Sequence, residues 1–237
     1  MKAFLLAGGR GERLRPFTLH SPKCLVPING VPLLQVWFEF CRREGIEDVL
    51  LNVSHHADRV REHLATWSAP PRVRLVVESE PRGSAGTVSA HRAFVEGEES
   101  FWILYADNLT RFSARDMAAT HRGHDSLMTI GLFHAPVPQA AGIVQMDDGG
   151  RIVAFDEKPA HPRGDLANAG VYLARSALLD ELPQPAPGVL DFGLHVLPAL
   201  VGRLYGHVIE QFHMDVGTPA ALAAASAAWT ETGRIAE

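Results

Sequence analysis

The chain has little of several things. Of its 237 residues only two are cysteine, Cys24 and Cys41. Two cysteines support no disulfide framework and fit a reducing cytoplasm. No apolar run approaches the ~18 residues of a membrane span. The first residues lack the small-residue cleavage site that follows the apolar stretch of a signal peptide. Internal repeats and low-complexity segments are absent. With 46% hydrophobic and 21% charged residues and a net charge of -5, the composition is that of a globular chain. Its length suits one domain spanning 1–237, long enough to bury a full core. A net-acidic chain offers no broad basic face for duplex nucleic acid. Neither nucleic acid nor membrane is therefore expected as a partner.

Basic charge is concentrated near the start. Residues 1–30 hold Lys2, Arg10, Arg13, Arg15 and Lys23 against Glu12 alone. The apolar run Lys2-Ala3-Phe4-Leu5-Leu6 reads as a buried strand and feeds Ala7-Gly8-Gly9-Arg10-Gly11-Glu12-Arg13. Glycines at 8, 9 and 11 let the backbone approach a ligand closely and aim N–H groups at anionic oxygens. Two commoner loops do not fit. A dinucleotide fingerprint needs glycine where Leu14 stands. A Walker A loop needs Gly-Lys-Ser/Thr, and the chain has no such run. The loop reads as a cradle for a small polyphosphorylated ligand.

Apolar runs alternate with helix-period segments through the first half. Strands are expected at 48–53, 73–77 and 101–105, with helices near 33–44, 58–67 and 85–94. Trp37 and Phe38 should pack one helix face. Ser113-Ala114-Arg115-Asp116 resembles a capping box opening a further helix. This rhythm predicts a Rossmann-like, doubly wound, mainly parallel sheet with helices on both faces. The second half adds strand-like segments at 126–133, 142–146, 151–156 and 168–173, with Asp148-Gly149-Gly150 as a hairpin turn. Helices resume near 191–201 and 219–229, and proline marks loops at 136–138, 159–162 and 183–187.

Several islands carry candidate chemistry. Asp107 follows a buried strand, at the end where parallel sheets place ligands, and is a candidate Mg²⁺ ligand or a turn residue. Asp215 precedes Thr218-Pro219, which make a good helix start but leave Asp215 unexplained. Glu157-Lys158-Pro159 ends a strand with an acid and a base. Asn168 opens the next strand as a sugar-hydroxyl partner or a turn residue. Glu78 to Thr87 joins a strand to a helix through Gly83 and Gly86, which are placed to pass a base. His55-His56 and His121-x-x-His124 lack cysteine company or a third ligand and are not read as zinc sites.

Together, Leu6–Pro16 with Pro22-Lys23, Glu80–Thr87, Asp107-Asn108, Gly142-Ile143-Val144, Glu157-Lys158-Pro159, Asn168-Ala169-Gly170 and Asp215–Pro219 resemble the sugar-1-phosphate nucleotidylyltransferases, in a short form without a C-terminal β-helix domain. The resemblance implies transfer of a nucleoside monophosphate from an NTP to a sugar 1-phosphate, releasing pyrophosphate. It implies Arg13 and Lys23 as catalytic cations and Mg²⁺ between Asp107 and Asp215. Leu6, Ala7, Gly8, Gly9, Gly11, Glu78, Gly83, Gly86 and Thr87 would line the nucleotide. Asn108, Gly142, Glu157, Lys158 and Asn168 would surround the sugar phosphate.

The Glu80–Gly86 run resembles guanylyltransferases acting on mannose- or heptose-type phosphates. Glu78 suits guanine N1–H and its 2-amino group, a donor pair that uracil and thymine lack. A UTP- or dTTP-dependent enzyme of the same family is the alternative. Outside it stand a silent nucleotide-sugar-binding regulatory subunit and a glycosyltransferase of similar fold. The latter usually carries an Asp-x-Asp run, which Asp107-Asn108-Leu109 does not supply. A homo-oligomer is left open.

Overall fold

Lys2-Ala3-Phe4-Leu5-Leu6 is apolar on both sides of its backbone and forms the central strand β1 (Lys2–Leu6) of the computed structural model. The structure describes residues 1–232 apart from Ser68, Pro70, Pro185 and Pro187. The proline loop expected at 183–187 thus falls partly outside the described residues. A small hairpin, β2 (Pro27–Ile28) and β3 (Val31–Pro32), precedes α1 (Leu33–Arg43). Then follow β4 (Asp48–Val53), α2 (Ala57–Thr66), β5 (Arg72–Val77), α3 (Ser84–Ala90) and β6 (Ser100–Tyr105). Strand β7 (Asn108–Arg111), α4 (Ala114–Gly123), β8 (Met128–His134), β9 (Gly142–Met146), β10 (Ile152–Glu157) and β11 (Leu166–Arg175) come next. The chain continues through α5 (Leu178–Glu181), α6 (Leu197–Ala199), β12 (Leu204–Val208), β13 (Phe212–Asp215) and α7 (Pro219–Thr232).

The main sheet runs β5-β4-β1-β6-β11, and β11 pairs further with β8 and β9. Neighbours β5, β4, β1 and β6 are parallel, whereas β11 runs antiparallel to β6, β8 and β9. Only β10 shares the direction of β11, so the sheet is mixed and mainly parallel. Alternate side chains feed two cores. Ala3 and Leu5 join Trp37, Phe38 and Trp102 on one face, and Phe4 joins Phe101, Ile103 and Phe192 on the other. Continuous apolar strands are what a sheet covered on both faces requires. Ser113 caps α4, its Oγ accepting from Asp116 N at 3.1 Å.

Several segments differ from expectation. The helix expected at 191–201 is a π turn (Phe192–Val196) leading into α6. Pro198 has no N–H to donate back into that turn. Strands β7, β12 and β13 were not read from the sequence. Among the described residues no helix is long and apolar enough to cross a membrane.

Candidate active site

The carboxyl ends of β1 and β6 open onto a cavity of about 290 Å³, with Leu6, Ala7, Gly8 and Gly9 in its wall. The loop is pinned by β4: Asn52 Oδ1 accepts from Ala7 N at 2.9 Å, and Ser54 Oγ donates to the Gly8 carbonyl at 2.6 Å. A Cβ at Gly8 would stand 2.8 Å from Asn52 Nδ2, so this approach needs glycine. Gly11 does not line the cavity; its carbonyl accepts from Thr18 Oγ1 at 2.7 Å and shapes the turn behind it.

Glu78 lines the same cavity, but its carboxylate is engaged. Oε2 accepts from Asn52 Nδ2 at 3.0 Å and Oε1 from Thr87 Oγ1 at 2.8 Å. Thr87 is buried and reaches the cavity beside Glu78. Gly83 lines the smaller cavity as expected, while Gly86 does not, and both pack against Leu190. Leu190 O accepts from Ala85 N and Gly86 N, and Leu190 N donates to Arg82 O. With φ near 78°, Gly83 lies so close that a Cβ would overlap the Leu190 carbonyl. Gly86 packs on that segment outside the cavity, because its backbone is spent on Leu190.

The two aspartates meet through a pairing the sequence did not disclose. Asp107 lies two residues past the end of β6, and β13 pairs antiparallel with β7 so that Asp215 faces Asn108. Lys23, on a 3-10 turn (Lys23–Leu25), extends a nearly buried side chain between them. Its Nζ lies 3.0 Å from Asp107 Oδ2 and 3.1 Å from Asp215 Oδ1. Arg13 is exposed and makes no ion pair among the described residues, and its Nη2 lies 3.2 Å from where a Gly217 Cβ would be.

Beyond this junction a second cavity, of about 680 Å³, shares Tyr105 and Asp107 with the first. Gly142, Glu157, Asn168 and Asn108 line it. Glu157 sits where a Cβ at Gly142 or Gly193 would come within 2.7 or 2.8 Å of Oε2. Burial raises its pKa, with Asp191 adding to the rise and Lys158 opposing it. Both amides serve the fold. Asn108 Nδ2 donates to Ala169 O at 2.8 Å, while Asn168 donates to Tyr172 OH and accepts from Gly170 N. Gly170 (φ 65°) lies in the irregular stretch of β11, against Tyr105 and Asn108. Lys158 departs from expectation: it lies outside the cavity wall, exposed, with Nζ 3.6 Å from Glu157 Oε1. Its strand has ended by then, so its stem is free to turn outward.

Sequence reasoning missed Asn52, Tyr105, Asp191 and His213. Asn52 gave a signal, an amide inside an apolar strand. Asp191 accepts from Ser84 Oγ at 2.9 Å and lines the smaller cavity. Tyr105 is partly buried and lines both cavities, and desolvation holds its phenol well above the usual range. The histidines near α4 are structural where they are buried: His121 bonds Thr129 at 2.9 Å, and burial lowers it to about 4.

The donor set fits a hard divalent ion. Two carboxylate oxygens converge, and among the described residues no group of three or more His, Cys, Asp or Glu side chains could enclose a metal. Mg²⁺ characteristically takes one or two carboxylates and leaves its other positions to water and substrate phosphate.

Known proteins resemble this chain along nearly its whole length. A mannose-1-phosphate guanylyltransferase catalytic subunit beta from Dictyostelium discoideum is 31% identical over 222 residues, covering 92% of this chain and 62% of the relative. A glucose-1-phosphate thymidylyltransferase from Streptomyces griseus is 32% identical over 238 residues, covering 100% and 64%. The chain thus spans just under two thirds of the length of these relatives. The crystal structure of HddC from Yersinia pseudotuberculosis matches the fold with a TM-score of 0.81 at 23% identity, covering 96% of this chain and 99% of that one. The nucleotidyl transferase family profile matches residues 2–232, and the chain belongs to that family.

Proposed function

We propose that this chain transfers a nucleoside monophosphate from an NTP to a sugar 1-phosphate, producing a nucleoside-diphosphate sugar and pyrophosphate. The observation that carries the reading is the convergence of Asp107, Asp215 and Lys23 where two cavities meet. The smaller cavity would take the nucleotide and the larger the acceptor. An oxygen of the acceptor phosphate attacks the α-phosphorus, a new P–O bond forms, and the α–β bridging bond breaks to release pyrophosphate. The attacking oxygen is already ionised at neutral pH, so no general base is required. The obstacle is repulsion between two polyanions.

Lys23 and Arg13 would set fixed positive charge against those anions. The Ala7–Gly9 backbone would orient the triphosphate, and positioning of this kind is worth about 7–11 kcal/mol of barrier. Asp107 and Asp215 would hold Mg²⁺, which when bound supplies charge neutralisation to the phosphates of both reactants. The relatives include a guanylyl- and a thymidylyltransferase. Glu78 tips the reading to GTP, with a mannose- or heptose-type acceptor, because each of its oxygens keeps a second lone pair beyond its bond to Asn52 or Thr87 and can accept from one of two adjacent guanine N–H groups. Cys24 and Cys41 are free, buried and pushed up to about 12 by burial, which suits work in the cytoplasm.

Pyrophosphate release tests the reading. With Mg²⁺ and sugar 1-phosphates, GTP should outperform ATP, CTP, UTP and dTTP. Equal or faster release with UTP would reject guanine. No release from any pair would reject the reaction.

A further inference from the structure

The larger cavity has an unusual wall. Ala135, Ala140 and Ala141 contribute from one segment and Ala220, Ala221 and Ala224 from α7, joined by Phe133. Most of its polar side chains are already committed. The Asn108 amide is bonded to Ala169, and the Asn168 amide to Tyr172 and Gly170. Thr218 Oγ1 accepts from Ala221 N, and Asp107 and Asp215 hold Lys23. Glu157 has only the exposed Lys158 beside it, at 3.6 Å, and is left with His213 for a ligand. The His213 ring packs on Phe133 with centroids 4.2 Å apart, and its Nδ1 is buried without a partner among the described residues. A phenylalanine would make the same tilted ring contact without orphaning a polar atom, an omission that costs about 1–3 kcal/mol.

We infer that the acceptor is a 6-deoxyhexose 1-phosphate, with the His213 imidazole bonding one of its hydroxyls. The inference rests on the reaction proposed above and narrows its acceptor. Each hydroxyl of a hexose both donates and accepts. Side chains already holding partners serve them only in part, and a hydroxyl pressed on alanine methyls loses its water for about 1–3 kcal/mol. Position 6 is where losing oxygen leaves a methyl, the largest apolar gain available on the ring. That methyl matches the alanine wall, while the imidazole and Glu157 serve the hydroxyls that remain.

Calorimetric titration of the full chain decides this. The probes are 6-deoxymannose and mannose 1-phosphates, and the corresponding glucose pair. The buffer holds Mg²⁺ and α,β-methylene-GTP, whose bridging carbon blocks transfer. At least one 6-deoxy compound should bind about tenfold or more tightly than its parent. His213→Phe, which keeps the ring contact with Phe133, should weaken that binding about fivefold or more while the GTP analogue binds as before. Equal, weaker or undetectable binding of both deoxy compounds overturns the inference, and wild-type affinity in His213→Phe overturns the histidine's part. Pyrophosphate release, measured separately with GTP, tests the reaction itself. Turnover of mannose 1-phosphate without a deoxy preference would leave the reaction standing and this inference refuted.

Discussion

Lys23 Nζ stands 3.1 Å from Asp215 Oδ1, across 192 positions of the chain. The ammonium is nearly buried, while the Asp215 and Asp107 side chains are 53% and 42% exposed. Ion pairs with one wet partner are worth about 0–1 kcal/mol each. The arrangement is therefore a weak stabiliser of the fold and a strong organiser of charge. Lys23 occupies the carboxylates that the proposed metal would need.

Lys23→Met separates those two roles. Turnover should fall about 10²-fold or more, the scale seen when a preorganised cationic or donor group is removed. Stability should change by about 1 kcal/mol or less. Binding of Mn²⁺ to the nucleotide-free protein, followed by electron paramagnetic resonance, should tighten, because the competing ammonium is gone. Weaker Mn²⁺ binding would show that Lys23 supports the metal rather than standing in for it.

Asp107→Asn and Asp215→Asn remove one metal oxygen charge each while keeping shape. Each variant should lose metal-dependent turnover by about 10²-fold or more with a melting temperature near that of the parent chain. Asn108, by contrast, is buried and bonded to the Ala169 carbonyl, so Asn108→Ala should lower stability first. Near-normal rates in either Asp variant would remove the metal assignment.

Glu78→Gln tests the base. Guanine offers two adjacent N–H donors, and a glutamine amide turns one acceptor into a donor facing them. The ratio of GTP to UTP kcat/KM should drop about tenfold or more. A uniform loss for all nucleotides would instead mean that Glu78 only anchors Asn52 and Thr87, with which it already bonds.

Much of this was legible in the sequence. The strand at 48–53 appears with those bounds, and the glycine-rich loop lines a cavity as expected. Local pattern carries such features because burial on both faces leaves a continuous apolar run. What stayed hidden depends on distant partners. Phe212-His213-Met214-Asp215 has no period of its own, and only its pairing with β7 makes it a strand. That pairing explains Asp215 better than the helix start beside it. Gly83 lines the smaller cavity as expected, but it and Gly86 also clear space for Leu190, a neighbour that no local pattern announces. The exposed placement of Lys158 was equally unreadable, because strand ends in sequence do not say which way a side chain turns.

Glu157 makes the pH dependence testable. Its pKa is raised chiefly by burial, with Asp191 adding and Lys158 subtracting. An acid whose folded pKa exceeds its unfolded value binds more protons when folded. Its contribution to stability therefore falls as pH rises from 4.5, its unfolded value, through the raised folded value. At neutral pH the ionised carboxylate is a net burden on the fold. Glu157→Gln should then be more stable than the parent chain at pH 7, and the difference should shrink as pH falls through the raised folded value towards 4.5, below which it no longer changes. Urea titrations at several pH values read this directly. The same variant should raise the acceptor KM and leave the nucleotide KM unchanged, since Glu157 lines only the larger cavity. A variant less stable at pH 7 would show that Glu157 gains more from Lys158 than it loses to burial.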